Sequence, residues 1–390
     1  MPTRSGLIPR GMAALALIAS LTLSSGLAPS IHAAASTTPL YIITGSDVNV
    51  ETLFRDTLIP DFEKAYPQYS VTFTNILHGG TAMQTQVVDN LVAAKQVGKK
   101  SIDYDVFEGT PNGFNYPVGA TYKDYFLPLN PGNVPNASRI DPTVELPAAG
   151  YGIAYRASAV VLAYNSQQVP HPPKTFSDLI AWIKSNPGKF TYCKPNLGGS
   201  GANFVVGAVR SVMDPMQYQQ MATAPYNKSF EKNWPKAWAL LKSIQPDLFQ
   251  HGFYPSGNAP VLNLLSRGTI TLATAWSDQS LDALGSGLLP KYIKLTQINP
   301  PFPGGPTFLS VPKLSQNPVG ARAFLNFILT PAEQAKIATA IDGFPSINFK
   351  YMPPSLIRHF GPIATGYDSF WPGGLYSTDL NALWTANVPS

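Results

Sequence analysis

The first part of the chain after its N-terminal segment alternates short apolar runs with segments of helical periodicity. Residues 40–44 (LYIIT) form an apolar run, and residues 69–76 alternate between polar and apolar positions, so both predict strands. Apolar residues recur at helical spacing over 54–66 and 81–94, which predicts two helices, and residues 104–107 predict a third strand. Strands that alternate with helices in this way indicate a parallel sheet with helices on both faces.

A second α/β unit is predicted after the loop-rich residues 127–150. Residues 153–164 (IAYRASAVVLAY) form a β run that is long enough to pass from one domain into the next. Thr175 and Asp178 stand at the spacing of a capping box, which predicts the start of a helix. Further strands are predicted at residues 190–193 and 269–275. The chain is too long for one ordinary core, so about two domains are expected.

The first 35 residues have the features of a secretory signal peptide. Arg4 and Arg10 provide positive charge, residues 12–23 form an apolar run too short to span a bilayer, and residues 33–35 (AAA) offer a cleavage site. No cysteine lies near this site to carry a lipid anchor. We therefore expect cleavage near Ala35 and a soluble protein in the periplasm.

Charge and cysteine content narrow the possible function classes. The signal-like segment holds two of the 27 basic residues and none of the 22 acidic ones, so the rest of the chain has a small positive excess. This excess is not clustered, and nucleic-acid binding is not expected. Cys193 is the one cysteine, which excludes an internal disulfide, and the histidines stand in no metal-binding pattern. We therefore expect neither a cofactor nor a metal.

Several predicted strands end in polar, glycine-rich loops that lead into helices, namely residues 45–47, 79–81, 108–110, 198–201 and 276–278. Ligands of open α/β sheets bind beyond the carboxyl ends of strands, where glycines let the backbone approach and helix N–H groups attract polar atoms. The candidate ligand-binding residues are Gly45, Ser46, Gly80, Thr81, Glu108, Tyr155, Gly199, Ser200, Gly201, Trp276 and Asp278. Each loop taken singly is equally explained as an ordinary βα turn, whereas the set of loops facing one cleft favours binding. The alternative is core packing for Trp276 and Tyr155, and helix capping for Asp278 and Glu108.

The chemistry of these candidates leaves the ligand open. An indole such as that of Trp276 covers a ring or an ammonium group, and the carboxylates of Asp278 and Glu108 pair with cations or hydroxyl groups. These residues favour an organic cation, such as a polyamine or a thiamine-like molecule. The Gly/Ser helix starts favour an anion or a sugar.

Ser200 raises the alternative of an exported hydrolase. Its surroundings nearly match the nucleophile elbow G-x-S-x-G, but Ala202 stands at the final glycine position. A serine nucleophile needs a partnered base, and no histidine of the chain stands in a triad pattern. We therefore expect a protein that is not an enzyme.

Several motifs taken together resemble a known family. The string VPHPPKTFSDLIAWIKSNPGKFTY at residues 169–192, the Ala-Tyr-Asn at 163–165, and the segments 267–270, 275–278 and 311–334 are similar in order and spacing to family 1 extracellular solute-binding proteins of ABC transporters. The likeness extends from Leu40 to about Phe344.

The resemblance implies a two-lobed, type II periplasmic-binding-protein fold of the α/β class, with hinge-connected, discontinuous lobes. It places residues 36–158 and 309–345 in lobe I, and residues 159–308 and 346–390 in lobe II. It also implies a monomer that captures a small molecule in the interlobe cleft and delivers it to the permease and ATPase subunits of an ABC importer. A binding protein that senses its ligand without transport is the remaining alternative.

Overall fold

The computed structural model describes residues 36–46, 48–76, 80–114, 116–140, 142–195, 199–224, 226–363 and 375–389. The strands in this part of the chain are β1 (Thr38–Thr44), β2 (Tyr69–Asn75), β3 (Val106–Glu108), β4 (Ile153–Asn165), β5 (Phe190–Thr191), β6 (Leu272–Trp276), β7 (Ile293–Thr296), β8 (Gly304–Ser310) and β9 (Phe344–Pro345).

The α-helices of the described residues surround these strands. They are α1 (Val48–Leu53), α2 (Ile59–Ala65), α3 (Gly80–Gln96), α4 (Pro142–Glu145), α5 (Phe176–Ser185), α6 (Ser200–Arg210), α7 (Pro215–Thr223), α8 (Trp234–Ile244), α9 (Asn258–Ser266), α10 (Ser277–Gly285), α11 (Pro318–Ile328), α12 (Pro331–Ile341), α13 (Pro354–Phe360) and α14 (Leu375–Asn387). None of these helices is both long and apolar enough to cross a membrane.

The predicted helix over residues 54–66 is not a regular α-helix throughout, because its first turn is wider than the rest. A π-helical turn, Phe54–Leu58, joins α1 to α2, and the Ile59 N–H bonds to the carbonyl of Phe54, five residues back. Proline has no N–H, so the α-type hydrogen bond is lost at its position, and the wider turn occurs immediately before it.

The strands form one sheet with the order β2-β1-β3-β8-β4-β6-β5, and β7 and β9 also pair with β4. β1 is parallel to β2 and to β3, whereas β8 runs antiparallel to both β3 and β4. The strand–helix–strand pattern of the sequence is therefore confirmed in the first part of the sheet. Helices that follow parallel strands cover its faces, which is the arrangement of a mixed α/β protein.

Strand β4 belongs to both halves of the sheet. The first half contains β1, β2, β3, β8 and β9, and the second half contains β5, β6 and β7. Its first part pairs with β8 up to the contact of Ala159 with Gly304, and its second part pairs with β6 from Val160 opposite Trp276. The strand therefore changes partner between these two adjacent residues.

Aromatic side chains anchor a separate core in each half. In the first half, Phe324 of α11 lies 6.2 Å from Phe54 and 5.2 Å from Phe62, measured between ring centroids. In the second half, Phe204 of α6 lies 4.5 Å from Tyr192. These clusters lie on opposite sides of the change of partner in β4 and give each half its own buried apolar centre.

The sequence led us to expect that residues 346–390 belong to the second lobe. In the structure, the described helices of this region, α13 and α14, pack against different cores. Phe360 of α13 packs on Phe344 with the ring centroids 5.0 Å apart, so α13 adds to the first core. Trp384 of α14 is fully buried in the second core, where its indole N–H donates to the Tyr192 hydroxyl at 3.2 Å. Each segment packs where its own large apolar side chains are covered.

A β-bulge in β4 places two neighbouring side chains on the same side of the strand. Ala154 pairs with Phe308 and Arg156 pairs with Thr307, so Tyr155 is the extra residue between them. A bulge leaves the extra residue outside the ladder and redirects its side chain. The free carbonyl of Tyr155 accepts a 2.9 Å hydrogen bond from the Nε2 of Gln334.

Gln334 of α12 is fully buried and uses its whole amide. Its Nε2 also donates to the Ile328 carbonyl at 2.9 Å, and its Oε1 accepts hydrogen bonds from the backbone N–H and the hydroxyl of Ser346, at 2.7 and 3.0 Å. This side chain therefore ties α12 to β4 and to the segment after β9.

We expect Gln334→Met to lower the free energy of unfolding by about 3 kcal/mol, because it leaves several buried backbone groups without partners. Urea denaturation measures the change. Gln220→Met, at an exposed position of α7, is the control and should change stability little. Equal effects of both substitutions would contradict the assigned role of Gln334.

Glu145, at the end of α4, carries a carboxylate in a poorly hydrated position near the start of β4. Its Oε1 accepts the backbone N–H of Ala154 at 3.1 Å. Burial raises the pKa of Glu145 from 4.5 to about 7, and this one hydrogen bond opposes the shift. Since the pKa is higher in the folded state, the folded protein retains a proton that the unfolded chain releases as the pH rises.

The contribution of Glu145 to stability should therefore be greatest below about pH 4.5 and be lost as the pH rises through about 7. We expect Glu145→Gln, which cannot ionise, to raise the Tm at pH 8 and to leave it nearly unchanged at pH 4.5. Differential scanning fluorimetry across this range measures the effect, with the exposed Asp89→Asn as the control. A Tm difference that does not depend on pH would refute the assignment.

Candidate functional site

The site is formed where strand ends of both halves meet β4. β1, β2 and β3 are parallel, so their last residues, Thr44, Asn75 and Glu108, lie at one edge of the sheet. β6 runs antiparallel to β4, so its end at Trp276 lies beside the point where β4 passes between the halves. These described strand ends lie on either side of one region, and ligands of open α/β sheets bind beyond such strand ends.

Glu108 is a buried carboxylate at the centre of this region, only 2 % exposed. Its Oε2 accepts the backbone N–H of Gly45 at 2.9 Å, and its Oε1 accepts the hydroxyl groups of Ser46 at 2.7 Å and Tyr155 at 2.6 Å. A buried carboxylate needs several donors to remain stable. Glu108 is therefore occupied by the protein, and it fixes the positions of Ser46 and Tyr155.

Arg156 completes this cluster. Its Nε donates to the Tyr155 hydroxyl at 2.9 Å, its Nη2 donates to the Ser46 hydroxyl at 3.1 Å, and Nη2 lies 3.8 Å from the Glu108 carboxylate. The bulge at Tyr155 makes this possible, because it places these two consecutive side chains on the same side of the strand. The Arg156 side chain remains 15 % exposed.

Arg156 was not among the residues that the sequence singled out. The available signal was its position, since it is the one charged residue in the apolar run that forms β4. A charge in such a run needs a partner or a function. The fully buried Tyr155 was expected to line the site, and its hydroxyl instead lies between Glu108 and Arg156, where burial raises its pKa well above the usual range.

Asp278 approaches the same strand from the second half. The Ser158 hydroxyl donates to its Oδ1 at 2.8 Å, and the neighbouring Ser277 hydroxyl accepts the backbone N–H of Ala159 at 3.1 Å. Burial raises the pKa of Asp278, although the Ser158 hydrogen bond and the positive charge of Arg156 act in the opposite direction. Asp278 as a whole residue remains partly exposed.

Trp276 is half-buried next to Asp278. Its backbone pairs with Val160, and its indole packs against the core of the second half without being covered by it. It therefore keeps part of its aromatic surface uncovered at the end of β6, two residues before Asp278.

The Gly199–Ser200–Gly201 loop has a different environment from the one that we expected. The Ser200 hydroxyl is fully buried and donates to the Thr274 carbonyl at 3.0 Å. The backbone N–H of Ser200 donates to Asn258, and that of Gly201 donates to the Cys193 thiol. The first donors of α6 are therefore bonded to the protein, and the Ser200 hydroxyl does not face a ligand.

Packing explains the glycines of this loop. A Cβ on Gly201 would overlap the carbonyl of Cys193, and Gly199 has a φ of +88°, which disfavours other residues. Burial also raises the pKa of the Cys193 thiol, which lowers its reactivity. The glycine-rich sequence here allows close packing of α6 on β5.

The remaining candidates are only partly described. Gly80 and Thr81 begin α3, and the side chain of Thr81 lies outside the described residues. Asp47, Gly79 and Gly198 also lie outside them. Within the described part, no group of three His, Cys, Asp or Glu side chains is arranged to hold a metal ion.

Comparison with known proteins identifies the fold. A solved structure of a putative extracellular solute-binding protein from Bordetella parapertussis has a TM-score of 0.70 at 15 % identity, and the match covers 90 % of this chain and 99 % of that one. The spermidine/putrescine ABC transporter substrate-binding protein PotD from Streptococcus pneumoniae has a TM-score of 0.60 at 14 % identity, with 90 % and 100 % covered. The architecture is therefore that of the two-lobed periplasmic binding proteins.

Sequence comparison gives the family. Protein YnjB of Escherichia coli K12 is 24 % identical over 206 residues, and the match spans about half of each chain, 52 % in both cases. The family model for bacterial extracellular solute-binding proteins matches residues 57–353. This match covers most of the chain and both halves of the sheet, so the protein belongs to the bacterial extracellular solute-binding protein family.

Proposed function

We propose that this protein is an exported receptor that binds a small solute where its two halves meet at β4. The observation that carries the proposal is the convergence of Arg156, held by the first half, and Asp278, held by the second half, on neighbouring positions of one strand. Both side chains are incompletely buried, and Trp276 presents part of its ring beside them. Such a mixture of charged, hydrogen-bonding and aromatic groups is typical of solute sites.

The position of the site couples binding to closure of the two halves. A solute that touches both Arg156 and Asp278 makes its full set of contacts only when the halves are close together. It therefore favours the closed state through contacts that the open state lacks. The backbone dihedral angles that change when the halves close are then those near Ala159 and Val160, where β4 changes its partner strand.

A hydrolase using Ser200 is not favoured by the geometry. The hydroxyl is enclosed and bonded to a backbone carbonyl, and none of its described partners is a histidine. A serine nucleophile needs a base within hydrogen-bond reach and an open path to the substrate. The buried Ser200 supports a role in packing.

We assign the receptor to an ABC importer. The family supplies the role of extracellular solute capture, and the structural relative PotD is a substrate-binding protein of such a transporter. The partners are then the permease and ATPase subunits in the inner membrane. The N-terminal residues 1–35 act as the cleaved signal, and the mature chain works as a monomer in the periplasm.

Cells that lack this chain should lose high-affinity uptake of its solute and regain it when the chain is supplied. The solute is first identified by thermal-shift screening of a metabolite library, because a molecule bound by the native state raises the Tm. Uptake of the labelled solute then measures transport. Uptake that is unchanged while a solute-dependent cellular response disappears would instead favour the sensing role.

We expect Trp276→Ala and Ser200→Ala to separate binding from packing. Trp276→Ala should weaken solute binding by about tenfold or more, since it removes an aromatic surface from the site. Ser200→Ala should lower the free energy of unfolding by about 1 kcal/mol through loss of the bond to Thr274, with little change in affinity. Titration calorimetry and urea denaturation of both variants measure these effects, and the reverse pattern would contradict the proposed site.

A further inference from the structure

We infer that the solute is a small zwitterion, with a carboxylate that binds to Arg156 and an ammonium group that binds to Asp278. The inference rests on the proposed function and names the chemical class of its solute. It depends on the opposite charges that the two halves bring to neighbouring positions of β4, and on the atoms of these groups that the protein leaves available.

The Arg156 side chain is held in place by hydrogen bonds that use only part of its guanidinium N–H groups. Tyr155 accepts from its Nε and Ser46 accepts from its Nη2, and within the described residues its Nη1 has no hydrogen-bond partner. Glu108 lies 3.8 Å from the guanidinium, is 2 % exposed and accepts hydrogen bonds from three other donors, so a solute meets the arginine and not this carboxylate. A planar guanidinium with free N–H groups is well suited to bind a carboxylate.

Asp278 offers the complementary acceptor. Its Oδ1 accepts the hydroxyl of Ser158 and the backbone N–H of Gln279, and no described residue donates to its Oδ2. The residue remains partly exposed, but its carboxylate lies where the water that would stabilise its charge is scarce. An ammonium group placed at Oδ2 supplies both a donor and a compensating charge.

The charges of Arg156 and Asp278 attract each other, but the two side chains do not form an ion pair. Arg156 and Asp278 influence each other's charge state, yet the ion pairs of the described residues do not include this pair. Ser158, which holds Asp278, stands two residues after Arg156, a separation of about 7 Å along a strand. A small solute with groups of opposite charge can therefore bridge them.

Solutes with a single kind of charge fit this arrangement less well. A diamine that pairs with Asp278 brings its second ammonium group to Arg156, and a diacid that pairs with Arg156 brings its second carboxylate to Asp278. Each places like charges side by side in a poorly hydrated region, which is costly. A zwitterion pairs with both groups, and Trp276 lies beside its carbon segment.

The test uses three matched probe series on the full mature protein. These are unbranched ω-amino acids of two to six carbons, the α,ω-diamines of the same lengths and the corresponding diacids, measured by titration calorimetry. We expect at least one amino acid to bind about tenfold or more tightly than the diamine and the diacid of its own length, because only it avoids a like-charge contact.

Substitutions test which charged group of the solute binds to Arg156 and which binds to Asp278. Arg156→Gln should weaken binding of the preferred amino acid about tenfold or more and reduce its advantage over the diamine, and Asp278→Asn should do the same relative to the diacid. Arg267→Gln and Asp282→Asn change the net charge equally at exposed positions and should leave affinity unchanged. Circular dichroism establishes that each variant is folded. Should Arg156→Gln fail to fold, Arg156→Lys, which keeps the charge, and Asp278→Asn carry the test.

The outcomes separate this inference from the proposed function. If a diamine or a diacid binds most tightly, the inference of a zwitterionic solute is wrong, but the proposed function as a solute receptor stands. Affinities that neither Arg156 nor Asp278 substitutions alter also overturn it. If no probe of the three series binds but the metabolite library contains a ligand of another class, the inference fails and the receptor function stands. If no solute of any class binds, both fail.

Discussion

Both halves of this protein depend on strand β4, because each completes its sheet on a different part of the same thirteen-residue strand. The first part pairs with β8 and β9, and the second part pairs with β6 and β7. A strand buried on both faces must be apolar along its length, which explains the run of alanine and valine residues. Side chains that break this rule, Arg156 and Ser158, lie just before the change of partner, where the two halves meet.

The bulge at Tyr155 brings polar and charged side chains together on this shared strand. Regular alternation would direct Tyr155 and Arg156 to opposite faces. With one extra residue, both side chains reach Glu108, and the unpaired carbonyl that results is satisfied by Gln334. The buried carboxylate then stabilises the arginine next to it, and the hydroxyl groups of Tyr155 and Ser46 fix the position of the guanidinium.

The glycine-rich start of α6 illustrates how one sequence pattern serves two purposes. Glycine and serine at a strand–helix turn are expected both for binding a ligand through free N–H groups and for tight packing. Here Asn258 and Cys193 accept the first N–H groups of the helix, and the Gly201 backbone lies against the Cys193 carbonyl. These contacts show that the glycine-rich start of α6 serves close packing. The partly exposed polar side chains lie instead on β4, at Arg156, and after β6, at Asp278.

The sequence by itself determined the elements and the class of fold. Periodicity is a local property, so the strands near residues 40–44, 69–76 and 153–164 and the capped helix after Thr175 follow from neighbouring residues. The ends of strands were predictable too, so Ser46, Glu108, Trp276 and Asp278 could be placed at or just after the carboxyl ends of β1, β3 and β6. The family resemblance added the two-lobed architecture.

Only the tertiary structure decided which of these side chains remain available. Burial and hydrogen bonding depend on residues far apart in the chain, such as Glu108 with Ser46 and Tyr155, or Ser200 with Thr274. The same holds for the separate packing of α13 and α14, which is set by where each finds an apolar surface. Arg156 was overlooked for the same reason, since its importance comes from a bulge and from partners that no local pattern reveals.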